Sequence, residues 1–251
     1  MRRRHDVGGT AIGGAIAAGM VLARRWQAQW GATGQEAGES LPGDDLIARA
    51  DLTATRAITV RVPADEVWPW IAQLGQGRGG FYSYDALENL AGCHICSADR
   101  IVPEWQDVRV GDQIRLAPQV ALAVALLEPR RSLVLRGGAP MGNTPPPYDF
   151  TWAFALREEL PESTRLLVRE RYAYTRPWAR LLVEPVEAVS FVMTQKMLRG
   201  IRDRAERAAA RRSPAANRSE KGAEGRSAPW LRRRRSGQGP PGTARMVAWR
   251  C

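Results

Sequence analysis

The segment Ala57-Ile-Thr-Val-Arg-Val-Pro-Ala-Asp-Glu-Val-Trp-Pro-Trp-Ile-Ala-Gln-Leu-Gly75, running on to Tyr84, most constrains what this chain can fold into. It reads as a strand, a short aromatic helix, an open glycine loop and the start of a second helix. In the strand, Ile58, Val60 and Val62 share one face while Ala57, Thr59 and Arg61 share the other. Pro63-Ala64-Asp65-Glu66 opens the helix, with acidic side chains where the helix dipole favours them. Val67, Trp70, Ile71 and Leu74 then form one apolar stripe, and Pro69 is tolerable only near the first turn. Gly75 and Gly77 end the helix, and Gly79-Gly80 extend the loop. Such a sequence builds the mouth of a cavity; it carries no catalytic pattern.

The flanking sequence fits that reading. Residues 31–51 look like a Gly/acidic linker with a turn at Pro42-Gly43. After a short helix at Tyr84–Leu90, alternation predicts antiparallel strands at Asp112–Leu116, Leu122–Leu127, Leu133–Arg136, Tyr148–Leu156 and Thr164–Tyr174. Turn residues separate them, including Pro129-Arg130-Arg131 and the proline-rich stretch 142–147. A long helix over Trp178–Arg207 follows, with an inner stripe expected at Val189, Val192, Met193, Lys196, Met197, Gly200 and Ile201. Beyond Ala208 the Arg/Ser/Gly/Pro composition predicts disorder.

Charge excludes one obvious function for the body of the chain. The net charge is +11, yet residues 40–200 carry 18 Lys and Arg against 19 Asp and Glu. Residues 201–251 carry 14 against 4, so the basicity belongs to the C-terminal tail. A body near neutrality does not steer toward a polyanion, and no nucleic-acid partner is expected. The tail run Arg232–Arg235, beside Trp230-Leu231, could contact anionic lipid or nucleic acid, or remain solvated chain.

Val7–Ala23 carries no charge and lies between Arg2–Arg4 and Arg24-Arg25. Seventeen residues reach the lower end of what crosses a hydrocarbon core of about 30 Å. The reading taken is a single-pass N-terminal membrane anchor within residues 1–30, its sidedness open because Arg flanks both ends. A cleaved signal peptide, and a mis-called start or soluble Gly/Ala-rich tail on a cytoplasmic protein, are the alternatives.

The order of elements, the Val-Pro-Ala-Asp-Glu-Val-Trp-Pro-Trp-Ile signature, the Gly-Phe81-Tyr-Ser-Tyr-Asp85 loop, Ile101-Val-Pro-Glu104, Val110-Gly-Asp112 and Met197-Leu-Arg-Gly-Ile-Arg202 resemble the START/Bet v 1-like (SRPBCC) superfamily. That superfamily takes in polyketide cyclase/dehydrase and lipid-transport proteins, and the likeness is to bacterial members over residues 41–207. It implies an α+β helix-grip fold: a curved antiparallel sheet wrapped around a long C-terminal helix, with a hydrophobic pocket between them. Members bind lipids, sterols, polyketides or plant hormones, and the superfamily has no shared catalytic set. The expected organisation is an apolar helix at 1–30, a ligand-binding domain at 41–207 and a basic tail at 208–251.

Strand parity supplies the candidate pocket residues. Tyr148, Phe150, Trp152 and Phe154 share one face of their strand, and Leu166, Val168, Glu170, Tyr172 and Tyr174 share one face of the next. Glu170 is the odd residue there, a carboxylate on an apolar face that needs a partner if desolvated. Arg165, Arg169 and Arg171 on the opposite face should meet solvent. The expected ligand-binding residues are Trp70, Tyr82, Tyr84, Trp152, Phe154, Glu170, Tyr172 and Met193, with Gly77–Tyr84 as the gate. Cys93-His94-Ile95-Cys96 lacks a second Cys/His pair for zinc, and no metal or cofactor is expected. Walker, Gly-x-Ser-x-Gly, His-Glu-x-x-His and dinucleotide patterns are all missing. The expected function is binding or transport of a hydrophobic small molecule or lipid at a membrane. A cyclase/dehydratase-like enzyme using Glu170 with a tyrosine, and an interaction module acting through the basic tail, are the alternatives.

Overall fold

The computed structural model describes residues 7–139, 144–160 and 162–223, with side chains from 18 to 212 among them. The chain divides into two compact units, Met1–Ala209 and Ala210–Cys251. Of the second, residues 210–223 are helical where the composition predicts disorder. Arg232–Arg235 and Cys251 lie outside the described residues.

The first unit contains a six-stranded antiparallel sheet in the order β1-β6-β5-β4-β3-β2. The strands are β1 (Leu52–Val60), β2 (Gln113–Ala117), β3 (Val120–Glu128), β4 (Ser132–Gly137), β5 (Tyr148–Leu160) and β6 (Ser163–Tyr174). The α-helices are α1 (Val7–Ala28), α2 (Gly34–Gly38), α3 (Ala64–Ala72), α4 (Asp85–Leu90) and α5 (Ala179–Ala223). Strand parity sends Val60, Leu122, Val124, Leu133, Leu135, Phe154, Leu166 and Val168 into one core with Val67, Trp70 and Ile71 of α3 and Met197, Leu198 and Ile201 of α5. Sheet and long helix therefore enclose the apolar interior between them, the helix-grip α+β arrangement.

Pro69 falls in the second turn of α3, not the first, and α3 ends only three residues later. The glycine loop after it is fastened from several directions. Gly75 and Gly80 bridge each other, and Gly79 N–H donates to the Gln73 carbonyl at 2.7 Å. Gly200 of α5 is what lets the loop seat. A Cβ there would lie 2.2 Å from the Tyr82 carbonyl oxygen, a distance no side chain tolerates.

Residues 31–51 are not a bare linker. Thr33 and Glu36 form a reciprocal capping box on α2. The segment lies over the outer face of β1, β5 and β6, where Leu41, Ala57, Ala155 and Leu167 make a second small core. This corrects the expectation that Arg165, Arg169 and Arg171 meet solvent. Arg169 is 1% exposed and donates to Asp44, to the Glu36, Ala37 and Glu39 carbonyls, and to Thr55 Oγ1. Parity correctly puts these arginines on the outer face but cannot show that another segment covers it.

The stripe of α5 is rotated from the expected one. The departure lies in its N-terminal half: Val189 and Val192 are 64% and 45% exposed, whereas Val183, Glu187 and Thr194 are buried, while Met197, Gly200 and Ile201 are buried as expected. The physical reason is that polar residues of this face have polar partners on the sheet, so an apolar pattern misplaces it.

No described helix is long and apolar enough to cross a membrane. The anchor expected within residues 1–30 thus has no spanning helix among the described residues. The run at 7–23 consists mainly of Gly and Ala, which contribute little apolar area per residue. The C-terminal end of α1 packs on the domain instead. The Trp26 ring meets Phe191 of α5 edge-on at 5.4 Å, and Ala57 N–H of β1 donates to the Trp30 carbonyl at 3.1 Å.

Candidate functional site

A cavity of about 240 Å³ opens between the concave sheet face and the N-terminal half of α5. Its walls are mostly apolar: Leu116, Val120, Leu122, Tyr148, Phe150, Trp152, Tyr172 and Val186 line it. The polar side chains among its lining residues are Glu170 and Ser190, besides the tyrosine hydroxyls and the Trp152 indole.

The aromatic wall follows from register. Tyr148 pairs with Tyr174, Phe150 with Tyr172 and Trp152 with Glu170 across β5 and β6, so these side chains share one face. Phe150 and Tyr172 lie 4.6 Å apart at their ring centroids, Tyr148 and Tyr172 5.7 Å, and Trp152 and Phe154 4.8 Å. These tilted contacts set the rings against one another before any ligand arrives.

Glu170 is 2% exposed, and its partners come from β1, β6 and α5. Its Oε1 accepts from Arg56 Nη1 of β1 at 3.2 Å, Ser190 Oγ at 2.7 Å and Thr194 Oγ1 at 3.2 Å. Ser190 and Thr194 stand four apart on α5, so one helix face supplies both hydroxyls. Among the described residues its Oε2 receives only the Tyr172 hydroxyl, at a long 3.5 Å. One oxygen is thus locked and the other lightly engaged.

Behind Glu170 lies a second carboxylate. Arg56, 1% exposed, donates its Nη2 to Glu187 of α5 and its Nε to the Gln27 carbonyl of α1 at 3.2 Å. Gln27 Nε2 in turn donates to Glu187 Oε2 at 2.7 Å. Two buried carboxylates therefore share one guanidinium, and α1 closes the cluster from outside. Burial pushes the Glu187 carboxyl above its ordinary range, with the Glu170 charge adding to the push and Arg56 opposing it. Burial, then the Glu170 charge, also raises the Tyr172 phenol well above its usual value, so it stays protonated.

Among the residues expected from sequence, the fold brings Trp152, Glu170 and Tyr172 together on the cavity wall. Phe154 sits behind Trp152 in the core at 1% exposure. Trp70 of α3 packs on Tyr82 of the loop at 5.8 Å. The Tyr82 hydroxyl accepts from Gln73 Nε2 at 2.9 Å, its ring lies beneath the Arg204 guanidinium, and burial raises its phenol. The Gly77–Tyr84 loop therefore lies against the Gly200–Arg204 part of α5 and does not line this cavity. Tyr84 is 39% exposed beside Lys196, and Met193 receives the Ser83 hydroxyl at 3.8 Å.

Sequence reasoning misses Arg56 and Glu187. Arg56 shares strand parity with Ile58 and Val60, the same signal that marks Glu170. Glu187 lies four residues from both Val183 and Phe191, inside the rotated stripe. Among the described residues no group of three His, Cys, Asp or Glu could hold a metal ion. Cys93 and Cys96 are not joined in a disulfide, and burial raises the thiol of Cys93.

No family model matches the chain, and no curated protein does. Solved structures similar to it include the Zhui aromatase/cyclase from Streptomyces sp. R1128, at 15% identity over 63% of this chain and 95% of that one, with a TM-score of 0.36. CalU16 from Micromonospora echinospora is 19% identical over 63% of this chain and 86% of that one, TM-score 0.31. The hypothetical protein jhp0584 from Helicobacter pylori is 13% identical over 69% of this chain and 99% of that one, TM-score 0.41. Likenesses this distant say nothing of function.

Proposed function

We propose that this chain binds a small, predominantly apolar molecule in the cavity between the sheet and the N-terminal half of α5. The observation that carries the reading is an aromatic-lined cavity containing one carboxylate, held by three donors on one oxygen and by a single long contact on the other. Few polar groups among apolar walls is the pattern of a small-molecule site. The volume of about 240 Å³ lies below the ~300–1,000 Å³ typical of drug-sized ligands, which favours a compact ring compound or a short acyl segment over a whole lipid. Native mass spectrometry of the full chain, purified without detergent, tests this together with a panel of uncharged ring and short-acyl compounds. Binding by a member of the panel, or a co-purified apolar ligand, supports the reading. Failure on both counts rejects it.

A catalytic reading has one observation in its favour. Tyr172, protonated at all ordinary pH, stands 3.5 Å from Glu170 in the same cavity, an acid beside a carboxylate. Three donors on one Glu170 oxygen instead suit a fixed anchor, and binding is the reading adopted. A panel compound chemically changed by the wild type and unchanged by Tyr172→Phe would favour catalysis.

A further inference from the structure

The polar groups of the cavity are mismatched in a way that specifies what should fill it. A carboxylate offers about four acceptor sites. Glu170 Oε1 takes three donors, while Oε2 has one long contact from Tyr172. Trp152, directly opposite Glu170 in the β5–β6 register, has its indole Nε1 buried with no hydrogen-bond partner among the described residues. An indole N–H only donates, and a buried donor without a partner costs free energy. Register partners on one sheet face place their Cβ atoms about 4.5–5.5 Å apart. The residues that carry an under-used acceptor and an unused donor are therefore neighbours on the same wall.

A hydroxyl is the smallest group that satisfies both. It gives its proton to Glu170 Oε2 and accepts from the Trp152 indole. An ether or carbonyl oxygen could accept from Trp152 but would set lone pairs against the carboxylate. An ammonium could donate to Glu170 but would leave the indole unpaired. Resting on the binding reading above, we infer that the cavity selects an apolar ring compound bearing a hydroxyl, with Glu170 and Trp152 as the specificity-determining pair. Tyr148, Phe150 and Tyr172 supply the ring surface against which the remainder of such a ligand stacks.

The test is equilibrium dialysis of the full chain against naphthol, its methyl ether, methylnaphthalene and naphthylmethylamine. Naphthol should bind about tenfold to a hundredfold more tightly than the ether or the methyl compound, the ratio expected when a hydrogen bond to a charged group is lost. Trp152→Phe keeps a ring in the wall and removes the donor. It should cut naphthol's preference over methylnaphthalene, read as the ratio of their dissociation constants, about threefold to tenfold. Equal affinities for naphthol and its ether, tightest binding of the amine, or an undiminished preference in Trp152→Phe each overturn the inference while leaving the binding reading standing. Absence of binding by all four compounds overturns the inference, and the wider panel then decides the binding reading. If Trp152→Phe does not fold, the wild-type ligand series decides.

Discussion

Removing Arg56 is the most informative perturbation of the buried cluster. Its guanidinium is 1% exposed and is shared by two carboxylates, Glu170 and Glu187, themselves 2% and 7% exposed. Arg56→Met retains much of the apolar stem and deletes the charge. Breaking a buried pair from one side leaves uncompensated charge and costs about 3–5 kcal/mol. Against a total stability of about 5–15 kcal/mol, that is a large fraction. With a urea slope of about 2 kcal/mol per M, it moves the midpoint down by about 1.5–2.5 M. Tryptophan fluorescence reads the transition. The loss should also depend on pH. Glu187, already raised by burial, loses the cation that opposes the rise, so the variant's folded state takes up a proton more readily than its unfolded state. The deficit is therefore greatest near pH 8 and shrinks toward pH 5. Replacing Arg56, Glu170 and Glu187 together by Met, Leu and Leu should recover most of the lost stability, since apolar isosteres of a buried cluster are often neutral or better. A loss under about 1 kcal/mol with no pH dependence would refute the claim that Arg56 carries two buried charges.

Other expectations follow from the same structure. In the wild type the folded-state value of Glu187 is raised, so its contribution is favourable below the ordinary carboxylate range and is lost as pH rises through the raised value. Glu187→Gln should flatten that decline in pH-dependent urea midpoints; an unchanged slope assigns it elsewhere. Glu36 has the opposite sign. Its hydrogen bond with Arg165 lowers the carboxyl to about 2, so its stabilisation is present above about 4.5 and is lost as pH falls toward 2. Glu36→Gln should thus be less stable than wild type at pH 7 and equal to it near pH 2, measured by thermal unfolding. Gly200→Ala would place a Cβ 2.2 Å from the Tyr82 carbonyl oxygen and should cost about 1–3 kcal/mol. Hydrogen exchange should show faster opening at residues 79–84; equal protection would mean the loop is not seated on α5.

Much of the fold is legible in the amino-acid sequence. Period-2 alternation locates all six strands, and parity puts Trp152, Glu170 and Tyr172 on the cavity wall, because side-chain direction in a strand follows from sequence alone. Long-range covering is not legible. The segment that hides Arg169 is joined to it only through the fold, so the Arg-bearing face looks like a solvated one. The N-terminal half of the α5 stripe is misplaced for a related reason. Glu187 and Thr194 face inward because Arg56 and Glu170 wait there, and hydrophobicity carries no trace of such pairing. Trp70 and Tyr82, expected in the site, pack on each other instead, since a buried aromatic in or next to a loop gives the same local pattern whether it lines a cavity or fills a core.

Val186 lines the cavity yet is half exposed, so a larger residue there can fill the space without entering the core. Calorimetric titration of wild type and Val186→Trp with the tightest-binding compound of the panel tests the central claim most directly. The account predicts saturable binding by the wild type and at least a tenfold loss in the variant, with its unfolding midpoint unchanged. Equal affinity in the two proteins would contradict it, because the ligand would then lie outside the space between sheet and helix.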